Sequence, residues 1–120
     1  MARILVFDDS KLMRNLMARI LADAGHQAES CEACSASDIQ ERIRSVSPDL
    51  VLTDYQMPGC NGLGVARMAH AWRADLPVLL VTATRDPDVE DALRRQQPLE
   101  ILHKPVHEPE LLATVTRLLG

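Results

Sequence analysis

Aromatic residues are almost missing from this sequence. Phe7, Tyr55 and Trp72 are the only three in 120 residues. That argues against a base-stacking platform or a large aromatic ligand pocket. Basic charge is also in short supply. Thirteen Lys and Arg stand against 17 Asp and Glu, a formal net charge of -4. A nucleic-acid binder ordinarily shows the opposite balance and a basic patch, so neither DNA nor RNA is expected as a direct partner. There are three cysteines, an odd number and too few for a disulfide scaffold, which fits a reducing cytoplasm. No apolar run approaches the roughly 18 residues of a membrane span. No charged-then-apolar segment with a small-residue cleavage site opens the chain. Nor is there a Gly/Ser-rich linker or low-complexity stretch.

What is present is a short apolar run followed by a helical pattern, repeated. Apolar residues make up 47% of the chain, enough for a real core, and its length suits one domain over residues 1–120. Arg3 to Phe7 reads as a buried strand ending at Asp8-Asp9. Ser10 then offers an N-cap to a helix with Met13, Leu16, Met17, Ile20 and Ala24 on one face. Leu12 and Leu21 lie on its flanks, and Gly25 closes it. Gln27 to Cys31 is a weaker strand. Ser35 caps a helix carrying Ile39, Ile43 and Val46, which must stop before Pro48. Leu50 to Thr53 is a third strand, ending at Asp54. Pro58, Gly59, Asn61 and Gly62 mark a loop, with Asn61 capping a helix to about Arg73. Val78 to Val81 is a fourth strand, ending at Thr82. Asp86-Pro87 opens a helix to about Gln96. Glu100 to His103 is a short fifth strand, ending at Lys104-Pro105. Pro109 opens a last helix with Leu111, Leu112, Val115, Leu118 and Leu119 on one face.

Strict alternation of strands and helices predicts an α/β fold, a five-stranded parallel sheet with helices on both faces. In such sheets ligands bind beyond the C-terminal ends of the strands. Those ends carry Asp8 and Asp9, Asp54, Thr82 and Lys104. A single Asp after a strand is most often a turn or cap residue. The coincidence of all five at strand ends is what points to chemistry. Clustered carboxylates raise one another's pKa unless a cation is bound. An all-oxygen set with spare positions suits Mg²⁺, which takes one or two carboxylates and keeps several waters. An ionised Asp beside Mg²⁺ and an ammonium can attack a phosphoryl group and form an acyl phosphate.

These motifs are Asp8-Asp9, Asp54-Tyr55-Gln56-Met57-Pro58 with Gly62, Val81-Thr82-Ala83 and Lys104-Pro105. Together they resemble the response-regulator receiver domains of two-component signalling, from Arg3 to Leu119. The resemblance implies a flavodoxin-like strand order, 2-1-3-4-5. It implies that Asp54 accepts phosphate from a phosphohistidine on a sensor kinase or histidine phosphotransfer domain. It implies Mg²⁺ held directly by Asp9, largely through water by Asp8, and by Asp54 and the backbone carbonyl of Gln56. Thr82 would be the switch hydroxyl, and Lys104 the partner of the phosphoryl oxygens, with a cis Lys104-Pro105 bond. The partner would dock near the first helix, at Lys11, Leu12 and Asn15. Such a domain catalyses only its own phosphorylation and dephosphorylation. It would be a stand-alone cytoplasmic regulator or the receiver module of a hybrid kinase. The alternative is a pseudo-receiver, a protein-binding module that takes no phosphate.

Two departures from the family pattern stand out. Ile101 occupies a place where many receivers carry Tyr or Phe, so an aromatic partner for the Thr switch is absent. Gln96-Gln97-Pro98 replaces the Ala-Gly turn common before the last strand, which predicts a local path of its own.

Other motifs carry less. Cys31 and Cys34 have C-x-x-C spacing, but Cys31 ends a strand rather than starting a helix, and no further zinc ligands appear at matching spacing. Both are expected to be dispensable, and Cys60 a spectator. His103 and His107 read as surface or packing residues, Trp72 and Phe7 as packing residues. A phosphatase of the Asp-nucleophile type needs a second Asp two residues on, where this chain has Gln56. A flavin mononucleotide carrier needs a hydroxyl- and Gly-rich loop where Asp8-Asp9 would repel the phosphate.

Overall fold

The structure, a computed structural model, describes residues 2–32 and 35–120. Five strands alternate with five helices. In chain order they are β1 (Arg3–Phe7), α1 (Lys11–Asp23), β2 (Gln27–Cys31), α2 (Ala36–Val46) and β3 (Leu50–Asp54). There follow α3 (Gly62–Trp72), β4 (Val78–Thr82), α4 (Pro87–Arg94), β5 (Leu99–His103) and α5 (Glu108–Leu119). The strands form one parallel sheet in the order β2-β1-β3-β4-β5. The predicted architecture and strand order are those observed.

Alternation along each strand divides the core between the two faces of the sheet. Leu5, Phe7, Val51, Val78, Leu80 and Leu99 face α2, α3 and α4. Ile4, Val6, Leu50, Leu52, Leu79 and Val81 face α1 and α5. Both faces are covered, which is why the inner strands read as unbroken apolar runs. β2 lies at the sheet edge and has no fully buried residue, which is why its sequence signal was weak.

The helix caps follow the sequence closely. The side chains of Ser10, Ser35, Asn61 and Asp86 accept from the backbone N–H of Met13, Asp38, Gly64 and Asp88. Gly25 takes a left-handed φ of 95° just past α1, as the closing residue must.

Three expectations need correction. In α1 the buried residues are Met17 and Leu21, whereas Leu16 is 46% exposed, so the core stripe is rotated toward Leu21. Packing on β1 and β2 selects the buried arc from a helix that is apolar over more than one face. α4 ends at Arg94 rather than Gln96. The Gln97 side chain donates to the Arg94 carbonyl and accepts from Leu99 N–H, closing the predicted local path into β5. α5 begins at Glu108, with Pro109 inside its first turn. The peptide bonds Lys104-Pro105 and Gln97-Pro98 are both cis. Phe7 is fully buried, and Trp72 packs half-buried against the α2–α3 face. Cys34 lies outside the described residues. No helix among the described residues is long and apolar enough to cross a membrane.

Candidate functional site

The C-terminal ends of β1, β3 and β5 deliver their polar residues to one place. β1 stops where its apolar run stops, and Asp8 follows with no solvent exposure, while Asp9 beside it is exposed. The Asp8 side chain accepts from Ser10 N–H through Oδ1 at 2.9 Å. Its backbone carbonyl accepts from the Arg14 guanidinium at 2.8 Å. Asp54 ends β3 and is 7% exposed. Its Oδ1 accepts from Tyr55 N–H at 2.7 Å, and its Oδ2 from Lys104 Nζ at 3.1 Å. Thr53 Oγ1 donates to the Asp54 carbonyl at 2.8 Å.

Lys104 stands one residue past β5 and its N–H donates to the Thr82 carbonyl at 2.9 Å. Its ammonium also lies 3.6 Å from Asp8 Oδ2, an ion-pair distance too long for a hydrogen bond. Thr82 is buried at the end of β4, one residue beyond Val81, the lateral partner of Asp54. Its hydroxyl accepts from Thr84 N–H at 3.0 Å. Gln56 and Asp9 line a shallow recess of about 390 Å³ with Tyr55, Met57, Pro58 and Asn61.

One carboxylate oxygen from each of Asp8, Asp9 and Asp54 falls within 4.8 Å of the others. The Lys104 ammonium faces Asp8 and Asp54. Burial pushes the Asp8 carboxyl up from its ordinary value. The Ser10 N–H and Lys104 oppose that rise, and the charges of Asp54 and Asp9 add to it. Asp8 Oδ2 is buried with no hydrogen-bond partner. A buried, orphaned carboxylate oxygen beside two further carboxylates is the donor set a hard divalent cation takes. The residues present therefore fit Mg²⁺.

Asp8, Asp9, Asp54 and Lys104 are thus brought together, with Gln56 lining the recess beside Asp9 and Thr82 buried at the end of the neighbouring strand. Two other residues touching this arrangement, Arg14 and Thr53, were not read from the sequence. Arg14 is recoverable in hindsight, because side chains tilt toward the helix N-terminus and a long one in the first turns can reach back to the preceding loop. Thr53 carried no signal within its strand. Beside this arrangement, His103 is partly buried and pairs with Glu90 of α4 at 2.5 Å.

The response regulator receiver domain family matches residues 4–116. PilH of Pseudomonas aeruginosa is 36% identical over 123 residues, an alignment spanning 100% of this chain and 99% of that protein. The DNA-binding transcriptional regulator NtrC of Escherichia coli is 31% identical over 115 residues, covering 96% of this chain but 24% of NtrC. Among solved structures, the chemotaxis protein CheY4 of Vibrio cholerae superposes with a TM-score of 0.88 at 24% identity over 98% of each chain, a likeness of fold. The chain belongs to the response regulator receiver domain family, and so to the signalling proteins of two-component systems.

Proposed function

We propose that this receiver accepts a phosphoryl group on Asp54 from a phosphohistidine of a sensor kinase or histidine phosphotransfer domain in the cytoplasm. The observation that carries the reading is the setting of Asp54. Its carboxylate is held by one amide and one ammonium, beside two further carboxylates, one with a buried unpartnered oxygen.

A carboxylate oxygen of Asp54 attacks phosphorus, and the phosphorus–nitrogen bond of the donor breaks with its electron pair remaining on the imidazole. Asp8, Asp9, Asp54 and the Gln56 carbonyl are the groups that would hold Mg²⁺. When bound, the ion neutralises negative charge on the transferring phosphoryl oxygens. The Tyr55 N–H and Lys104 orient the Asp54 carboxylate. Lys104 then follows the phosphoryl oxygens as a compact cation on a flexible stem. The Thr82 hydroxyl, which accepts from the Thr84 N–H, turns to donate its proton to an oxygen of the new acyl phosphate, and that differential contact biases the β4–α4 loop.

Leu12 is 77% exposed and Leu16 46% exposed, next to the exposed Lys11 and Asn15 of α1. These are the large apolar side chains exposed on the described surface, and they supply an apolar patch with a polar rim for the donor's helices. The test is treatment with acetyl phosphate and Mg²⁺, read by intact mass. One phosphoryl adduct is expected on the wild type and none on Asp54→Asn. An adduct that persists unchanged in Asp54→Asn overturns the assignment.

A further inference from the structure

We propose that the Glu90–His103 pair carries the displacement of Thr82 sideways through β5 into α4, which makes Glu90 and His103 positioning residues for the switch. The inference rests on the reading of Thr82 as a hydroxyl that moves toward a phosphorylated Asp54.

Three observations support it. First, His103 Nε2 lies 2.5 Å from Glu90 Oε1, with the two side chains only 27% and 21% exposed, so the contact is partly shielded from water. Second, His103 is the lateral partner of Thr82 in the β4–β5 ladder. The next amide, that of Lys104, donates to the Thr82 carbonyl. That amide shares a rigid planar peptide unit with the His103 carbonyl. A shift of Thr82 therefore pulls on the backbone that carries the imidazole. Third, α4 is lightly anchored. Leu93 is its one fully buried side chain among the described residues, and Val89 is half-buried. A short helix with so small a core contact is free to adopt a second position, and a hydrogen bond to the strand beside the switch ties it to that strand. Ile101, which packs on the same face two residues earlier, has no ring to swing and no polar tip to exchange partners.

A second route from Thr82 to α4 runs along the chain through residues 83–86, ending at the Asp86 cap. The two routes separate experimentally. Amide NMR of the full chain with Mg²⁺ and beryllofluoride, a phosphoryl mimic, reads residues 83–86 and 88–94 independently. In the wild type both stretches are expected to shift. In Glu90→Ala and His103→Ala the loop shifts persist, while those of α4 fall by about half or more. Glu90→Leu keeps the bulk of the side chain but offers the imidazole no acceptor, and it is expected to lose α4 response too, so the result does not rest on the Ala variants alone. Because the residues act as a pair, the double variant should lose no more than either single one. The acetyl phosphate adduct on Asp54 forms in every variant, which a general loss of structure would not permit. Wild-type α4 shifts in the single variants, or losses that add in the double variant, overturn the proposal. Loop shifts without α4 shifts in the wild type also overturn it. No shift anywhere in the wild type counts against phosphoacceptance itself, and the proposal falls with it.

Discussion

At the residue scale the tension in this protein is concentrated on Asp8. Its carboxylate has no exposure to water, one partner for Oδ1, and an ammonium too distant to hydrogen-bond Oδ2. Burial raises its folded pKa, whereas an unfolded Asp titrates near 4. The folded state therefore holds the proton more tightly than the unfolded state does. The stability this group contributes is full below about pH 4 and is lost as pH rises through the raised folded value. Asp8→Asn keeps an acceptor for Ser10 N–H and removes the charge. In metal-free buffer it should be more stable than the wild type at pH 7, with the advantage shrinking as pH falls toward 4. Urea unfolding in EDTA at several pH values checks this; a difference that does not change with pH refutes it. The sequence placed both Asp8 and Asp9 at a strand end. Which of the two is buried depended on how the β1–α1 loop turns, and Arg14 and Ser10 hold that turn.

At the scale of elements, two glycines serve opposite needs. Gly25 ends α1 at a positive φ with open space where a Cβ would be, so its requirement is conformational. Gly62 begins α3 where a Cβ would lie 2.7 Å from the Asp54 carbonyl oxygen and 2.9 Å from the Tyr55 Cα. Those are backbone atoms of the strand end that carries Asp54, so they cannot yield without moving the site. Gly62→Ala is expected to cost about 1–3 kcal/mol through overpacking and to slow acetyl phosphate labelling of Asp54. A urea midpoint and a labelling rate equal to the wild type's rule this out. The motif around Gly62 was legible in the sequence, but the reason for it was not. It is a distance between α3 and β3, set by Leu80 and the backbone packed beneath. The helix faces show the same limit. Apolar spacing identified α1 correctly, and only its packing partners decided that Leu21 goes inward and Leu16 stays out.

For the whole molecule, the site is a clasp on strands distant in the chain. Asp8 follows β1, Asp54 ends β3 and Lys104 follows β5. A cation that binds only when these ends are together must stabilise the fold in proportion to ln(1+[L]/Kd), about 2.7 kcal/mol at a hundredfold excess over Kd. Mg²⁺ should therefore raise Tm progressively with concentration, and Asp9→Ala should lose most of that gain. Asp9 is exposed, so its removal should leave the metal-free fold intact or slightly stabilised by relief of like-charge repulsion. Equal Mg²⁺-dependent shifts in the two proteins would sink the clasp model.

The sequence by itself determined the alternation of five strands and five helices, the caps at Ser10, Ser35, Asn61 and Asp86, and the polar residues waiting at the ends of β1, β3, β4 and β5. These are local matters: a run of apolar residues, a side-chain oxygen two or three residues before an amide, a change of composition where burial stops. Tertiary structure alone decided which polar residues meet. Lys104 and Asp54 are 50 residues apart in the chain, and His103 and Glu90 meet across two elements. It also decided that Asp8 would be dry and Asp9 wet, and that Leu12 and Leu16 would stay uncovered. The physical reason is that burial and electrostatic coupling depend on what the rest of the chain places opposite a residue, and no spacing along the chain records that.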